Sequence, residues 1–349
     1  NISPTEPLGG FDSRIEYTNG GPGWGDVIVS APLDAYLAYG TTEAMEQCWD
    51  AAERWVAFCA DRAATQRHET RVTRTPEPAE HEAYLADTGF AFGEWFEPNV
   101  PLDFFALRTS DQANVGTAYL HRSARQMAEI AAVLGKDSDV VHRYEELAAN
   151  AKRAWQAECM NADGSLVVDT QASYVRALHF GLLPEELRPA ATAHLVRLIR
   201  AAGTHLGTGF LSTPYLLPVL ADNDQIDLAY ELLLQDTQPS WLAMINAGAT
   251  TIWELWEGVD AEGRPHESLN HYSKGAVISF LHHYVAGLRP TSPGYRTFAV
   301  EPRLGGGLTS ASTWHESPYG RIEVSWRLEE GELMVDITAP DECVWEVVA

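Results

Sequence analysis

The chain has 349 residues, 45% of them hydrophobic, and 24 Lys+Arg against 49 Asp+Glu give it a formal net charge of −25 at pH 7. With a mean hydropathy of −0.20, this is the composition of a soluble globular protein, long enough to bury a large core as one big domain or as one with a smaller companion. Such an acidic surface repels phosphate backbones and anionic lipid, which argues against nucleic-acid and membrane-surface roles and suits a neutral substrate.

Residues 1–26 are rich in Gly and Pro and read as an irregular lead-in. The chain begins at Asn1 without the apolar run of a signal peptide, which leans toward a cytoplasmic rather than a secreted protein; the absent Met leaves its natural start open. From there to about residue 288 helical periodicity dominates. Ala44, Met45, Cys48, Ala52, Trp55, Val56 and Cys59 form one apolar stripe. Tyr119, Leu120, Ala124, Met127, Ile130, Ala131 and Leu134 form another, which Gly135 stops. Residues 141–159 pair with that helix through a short turn. Further helices are predicted over 171–181, 188–202, 213–220, 226–234 and 271–288, about ten in all. Between them, residues 66–109 form the longest loop, carrying Phe90, Phe92, Trp95, Phe96, Phe104 and Phe105; a long aromatic loop in a compact domain points to function or to a cap on the core.

After Pro290 the pattern changes. Residues 296–300, 320–327 and 332–338 alternate and are β-branched, with Gly331 and Pro340 as punctuation. No repeat of 30–45 residues is evident. Paired helices followed by strands predict a mainly α chain, an α/α toroid over 1–288 with an appended β-sandwich over 289–349.

Chemistry concentrates in the run from Gly248 to Glu254, GATTIWE, followed closely by Trp256 and Glu257. Sugar rings stack their C–H faces on indoles, and acetal cleavage needs a carboxyl group to move a proton or activate a water. The plainer reading makes Trp253 and Trp256 core residues at helical i,i+3 spacing, with both glutamates solvated. Trp24-Gly25-Asp26 precedes a helix, so Asp26 is either its N-cap or a carboxylate at a cavity mouth. Gly93-Glu94-Trp95 again sets a carboxylate beside an indole. His271, in Asn270-His271-Tyr272, heads a helix, where imidazole serves as hydrogen-bonder to a hydroxyl or to a base carboxylate. Helix ends on one side of a toroid converge on its central cavity.

Other chemistries fit poorly. Gly207-Thr208-Gly209 lacks the third glycine and preceding strand of a dinucleotide loop. No Gly-x-Ser-x-Gly elbow or His-Glu-x-x-His motif occurs. His282 and His283, adjacent on a helix, diverge too far to share an ion. Cys48, Cys59, Cys159 and Cys343 are too scattered for a disulfide scaffold or zinc site and read as buried free thiols. Neither metal nor organic cofactor is expected. The best apolar run, 276–288, is interrupted by those histidines and is too short to cross a membrane.

The clusters fall in a recognisable order: Gly23-Trp24-Gly25-Asp26, Phe92-Gly93-Glu94-Trp95, Thr170-Gln171-Ala172, LGTGFLSTPYLLP over 206–218, Ser240-Trp241, GATTIWE, Leu269-Asn270-His271-Tyr272, Gly275-Ala276-Val277, Ser317-Pro318-Tyr319-Gly320 and Val324-Ser325-Trp326. The ordered set resembles bacterial α-L-rhamnosidases of glycoside hydrolase family 78 along nearly the whole chain. The resemblance implies an (α/α)6 barrel with a C-terminal β-sandwich and inverting hydrolysis of terminal α-L-rhamnosides. It makes Glu254 the general base. It also implies that Trp24, Asp26, Glu94, Trp95, Trp253 and His271 shape or bind the sugar site.

Two departures from the family pattern stand out. The family's Gly-Asp-Trp reads Gly93-Glu94-Trp95 here, one methylene longer. The Asp-x-x-x-x-Glu stretch that carries the family's general acid, many tens of residues ahead of Gly-Trp-Gly-Asp, is not found in the 23 residues before Trp24. The expectation is therefore a chain lacking the acid and the first helices of the barrel, with a β domain that stops early. The competing readings are another toroid hydrolase, glucoamylase- or trehalase-like or an unsaturated glucuronyl hydrolase, and a non-catalytic sugar-binding remnant.

Overall fold

The computed structural model describes residues 21–98, 100, 101, 103 and 110–348; Phe104 and Phe105 lie outside them. Helix α1 spans Val27–Tyr39 and α2 spans Glu43–Thr65. On α2 the buried positions Met45, Trp49, Ala52, Val56, Cys59 and Ala63 recur at three- and four-residue spacing, the apolar stripe expected of an amphipathic helix. After a short α3 (Glu69–Arg74) come α4 (Ala113–Val133) and α5 (Ser138–Cys159). The α4 helix ends as its sequence predicts. Gly135 takes φ +64°, and the Lys136 and Gly135 amides close back on the carbonyls of Ala131 and Ala132 at 2.9 and 3.1 Å.

Helices α6 (Gln171–His179), α7 (Arg188–Ala201), α8 (Thr213–Asp222) and α9 (Ile226–Leu233) follow. The chain then runs through α10 (Trp241–Asn246) to two single turns, α11 (Tyr272–Gly275) and α12 (Val277–Phe280). Consecutive helices pair as hairpins: α1 with α2, α4 with α5, α6 with α7 and α8 with α9. The first helices of these pairs also touch in succession, α1 to α4 to α6 to α8, and α8 packs on α11 and α12. This places one inner row of helices, each backed by an outer partner, around a core of Trp155, Tyr174, Phe180, Leu216, Tyr230, Trp241 and Trp256.

The stretch over 66–109, read from sequence as one long loop, in fact carries α3 and a 3-10 turn at Glu80–Tyr84, and its described part is tied down by charge. Buried Arg71 bonds Asp87 at 2.9 Å, Asp111 at 2.7 Å and also Glu158, drawing α3, the loop and α5 together.

Three further sequence readings need correction here. The helix predicted over 271–288 is broken: after α12 the backbone loosens into a π turn, Leu281–Val285, and a strand starts at Leu288. The wider turn also brings His282 and His283 together instead of splaying them. Both rings reach the Tyr295 hydroxyl, at 3.3 and 3.5 Å, while His282 Nδ1 meets Thr313 Oγ1 at 2.7 Å. Three of the cysteines are buried as expected, but Cys48 is only half-buried.

The C-terminal part forms two three-stranded sheets. In one, β2 (Thr297–Val300) pairs antiparallel with β1 (Leu288–Pro290) and parallel with β6 (Val344–Val347). The other is an antiparallel meander of β3 (Ser310–Ser317), β4 (Gly320–Glu329) and β5 (Glu332–Thr338). Alternation on β4 turns Ile322 and Val324 inward onto Phe298 and Val300 of the first sheet. Trp326, on the same face, donates its indole N–H to the Val285 carbonyl at 2.7 Å and so fastens the sheet to the helices. No helix among the described residues is long and apolar enough to cross a membrane.

Candidate active site

The GATTIWE segment is not helical, so Trp253 and Trp256 are not an i,i+3 helical pair, yet both are buried, at 4% and 1% exposure. Trp253 lies flat against Gly258, where any Cβ would collide with the indole. Trp256 meets Trp241 edge-on at 5.4 Å between centroids. These burials leave Trp253 no free face for a sugar; it serves as a floor beneath the neighbouring residues.

Glu254 is held from both sides. Its amide donates to the Ser268 carbonyl at 2.9 Å, and the Ser268 amide donates back to Glu254 Oε2 at 3.3 Å. The same two stretches are joined again where the His271 amide donates to the Ile252 carbonyl at 2.8 Å. The Glu254 side chain keeps 17% of its surface accessible and that of His271 keeps 22%. His271 Nε2 stands 3.9 Å from Glu254 Oε1. The His271 side chain caps α11, accepting the Ser273 amide on Nδ1 at 3.3 Å.

A continuous aromatic wall leads away from this pair. The His271 ring meets Phe210 at 5.0 Å, Phe210 stacks on Trp24 at 5.3 Å, Trp24 lies 4.4 Å from Phe92, and Phe92 meets Trp95 at 5.0 Å. Trp24, Trp95, His271 and Glu254, separated widely in sequence, thus belong to one cluster. Trp24 and Trp95 are half-buried, so each keeps part of its ring surface open.

The turn that places Trp95 is strained. Gly93, Trp95 and Phe96 all have positive φ, +61°, +49° and +55°, a region that bulky residues rarely enter unless their surroundings hold them there. Here the Phe210 amide docks on the Glu94 and Trp95 carbonyls, the latter at 2.9 Å. Gly209 allows that approach, because a Cβ there would strike both carbonyls.

Glu94 itself points inward. It pairs with Arg176, both side chains being almost fully buried, and it accepts the Ser212 amide at 2.9 Å and the Ser212 hydroxyl at 2.6 Å. Asp26 is similarly committed. It is 3% exposed and accepts from the Gly23 amide at 2.7 Å, the Trp55 indole at 3.1 Å and the Ser123 hydroxyl at 2.5 Å. Burial pushes its carboxyl above the usual range despite those donors. Its side chain makes no cap bond to α1. Asp26 therefore stands at the N-cap position of that helix without capping it through its side chain, and it is not a carboxylate at a cavity mouth; Asp26 and Glu94 both bond protein donors in the interior.

Four residues of this neighbourhood were not singled out by the sequence reading: Phe210, Arg176, Ser212 and Lys274. Phe210 and Ser212 sit inside the LGTGFLSTPYLLP stretch, so their motif was visible and their individual roles were not. Lys274 is 1% exposed; its ammonium donates to the Glu254 carbonyl and lies 4.9 Å over the Trp256 ring. Glu97 is a further unforeseen group. Burial and then the neighbouring Glu94 push its carboxyl up to about 7. It shares a cleft of about 320 Å³ with Phe96, Leu255, Trp256 and Glu257, next to Glu254 in sequence. Among the described residues no group of three or more His, Cys, Asp or Glu is placed to hold a metal ion.

Residues 4–285 match the bacterial α-L-rhamnosidase six-hairpin glycosidase domain, and residues 287–348 match the bacterial α-L-rhamnosidase C-terminal domain. An α-L-rhamnosidase of Streptomyces avermitilis is 34% identical over 336 residues, which cover 94% of this chain and 29% of that protein. One from Formosa agariphila is 34% identical over 330 residues, covering 93% of this chain and 33% of that protein. Among solved structures, the S. avermitilis α-L-rhamnosidase complexed with L-rhamnose superposes with a TM-score of 0.82 at 32% identity, over 94% of this chain and 29% of that one. The native enzyme of Aspergillus terreus gives 0.80 at 29% identity, over 93% of this chain and 36% of that one. The chain spans about a third of the length of the relatives it matches. Paired helices, a two-sheet C-terminal part and sequence similarity along both place the chain in the bacterial α-L-rhamnosidase family.

Proposed function

We propose that this chain carries the general-base half of an inverting α-L-rhamnosidase, acting on terminal α-L-rhamnosides. The observation that carries the reading is the convergence of Glu254 and His271 with the wall of Phe210, Trp24, Phe92 and Trp95. A carboxylate with a little exposed surface, held by backbone on both sides and bordered by aromatic faces, suits a neutral sugar ring better than any charged ligand. Support for the sugar comes from the S. avermitilis relative, whose solved structure is a complex with L-rhamnose.

In this reading Glu254 takes a proton from a water while the water oxygen forms a bond to the anomeric carbon. The bond from that carbon to the leaving oxygen breaks on the opposite face, and a second carboxyl protonates the leaving oxygen. Room for the water sets the two carboxyls roughly 6.5–9.5 Å apart. The family resemblance puts the second carboxyl ahead of Trp24. Trp24 and Trp95 stack on the sugar, and His271 orients Glu254 or bonds a hydroxyl. Asp26, Glu94 and Trp253 act one layer back: Glu94 fixes the turn that carries Trp95, Asp26 braces Gly23 beside Trp24, and Trp253 supports Glu254. Residues 1–288 form the catalytic unit and 289–349 its supporting β domain.

The test is to express the complete gene product and follow p-nitrophenyl α-L-rhamnoside by proton NMR from the first minutes. The β-anomer of rhamnose should appear first and then mutarotate. An initial α-anomer would overturn inversion, and absence of rhamnose release, with turnover of a glucoside or an unsaturated uronide instead, would overturn the substrate class.

A further inference from the structure

Lys274 stands out because nothing in a two-carboxylate hydrolysis requires it. It is a lysine at 1% exposure in a single helical turn, Tyr272–Gly275, and the chain has only three lysines, Lys136, Lys152 and Lys274. Burying an ammonium is costly unless it is paired. Its ammonium donates to the Glu254 main-chain carbonyl. Trp256 provides the other face, with the ammonium 4.9 Å from the ring centroid, a favourable cation–π placement. The charged groups that act on it are Glu254 and Glu257, both attracting it. Its own carbonyl accepts the Trp241 indole N–H at 2.9 Å, which ties α11 to α10.

We propose that Lys274 is a positioning residue for the general base: its ammonium clamps the Glu254 main chain against Trp256 and keeps the Glu254 carboxylate aimed beside His271. The inference rests on the reading of Glu254 as base. The clamp needs the charge, because both the cation–π contact and the attraction to the two glutamates vanish when the amine is neutral. Burial holds the Lys274 ammonium down to about 8, well below an ordinary lysine, with Glu254 and then Glu257 opposing that effect. The residue therefore loses its proton within the range where the reaction can be measured.

A structural lysine and a positioning lysine predict different things. The depressed value means that the fold bears a net cost for the charge, a cost that Met of similar length does not carry. K274M should keep or raise Tm. It should lower kcat roughly ten- to a hundred-fold with a small change in KM, the size expected for loss of one charge-assisted contact.

The experiment uses the complete gene product and α-L-rhamnosyl fluoride, whose fluoride departs without a proton, so that titration of the general acid does not dominate the alkaline limb. The wild-type kcat should fall through an alkaline limb near pH 8. The limb should coincide with the titration of one ¹³Cε-lysine NMR signal, identified by its loss in K274M. K274R, charged throughout, serves as a second variant and should abolish the limb. A flat wild-type profile from pH 7 to 9.5, or a Lys274 signal titrating near an exposed lysine's value, would overturn the proposal without using any variant. A K274M enzyme with wild-type kcat, or one with Tm and kcat lowered together, would also overturn it. E254Q separates the two layers of the argument. If E254Q stays active, the base assignment fails; if E254Q is inactive while the profile stays flat, only the role of Lys274 fails.

Discussion

The Ser273 amide, by donating to Nδ1 of His271, leaves Nε2 as the protonated nitrogen of the neutral ring, and that N–H faces Glu254 Oε1 across 3.9 Å. The separation is too long for a direct hydrogen bond. It is short enough for the N–H dipole to act on the carboxylate. Tautomer and aim are thus both set by the first turn of α11.

Glu254→Gln keeps the shape of this arrangement and removes its basicity. The expected result in the complete gene product is a kcat lower by roughly 10²–10⁴ with little change in KM. Steady-state kinetics with an aryl rhamnoside measures both, and added azide gives an independent check, since a small external nucleophile can restore part of the lost rate.

His271→Ala removes the oriented N–H and the cap of α11 together, so a second substitution is needed to separate them. His271→Asn retains a cap acceptor for the Ser273 amide but withdraws the ring from Glu254. Asn should keep the unfolding free energy within about 1 kcal/mol of wild type, while kcat falls roughly ten-fold or more. Wild-type kcat in His271→Asn would mean that the ring does no more than cap the helix.

Glu94→Gln addresses a different link, the buried pair that supports the Trp95 turn. Removing one partner leaves Arg176, itself 3% exposed, with an uncompensated charge. A loss of about 3–5 kcal/mol is expected. Urea denaturation measures it. Replacing both partners by apolar residues of similar volume should cost much less than Glu94→Gln alone, and equal costs would argue that the pair itself stabilises the fold.

The histidines at the junction with the β domain predict how stability depends on pH. Burial holds His282 and His283 down to about 4, with neighbouring histidine charge adding to it. Their folded values lie below the ordinary 6.5, so the unfolded chain binds protons more readily. The stability they contribute is fully present above pH 6.5 and is lost as pH falls through that value toward 4. Tm should drop over that window more steeply in the wild type than in a His282→Gln, His283→Gln double variant. Parallel curves would show that the junction does not sense acid.

The sequence by itself determined most of the scaffold, because local periodicity is a local property. The stripe on α2, the Gly135 stop of α4 and the alternation on β4 are all visible in consecutive residues and are all present in the fold. It also singled out Trp24, Trp95, Glu254 and His271, which the fold brings into one cluster. Tertiary structure decided which way each of those side chains points. Asp26 and Glu94 look alike in sequence as carboxylates beside indoles, yet both turn inward to buried donors, while Glu254 keeps accessible surface because Ser268 returns to pair with its backbone. Pairing partners such as Arg176, Ser212 and Ser268 lie 14 to 118 positions away, beyond the reach of any periodic pattern. The break at 281–285 escaped the sequence for a related reason. Its residues have ordinary helical spacing, and the change of course goes with His282 bonding Thr313 of β3 and with Trp326 of β4 bonding the Val285 carbonyl. Lys274 shows the same limit most clearly. In the sequence it is one lysine of three, with nothing to mark it, until the fold closes Glu254, Trp256 and Trp241 around it and excludes the water that would otherwise have solvated its charge.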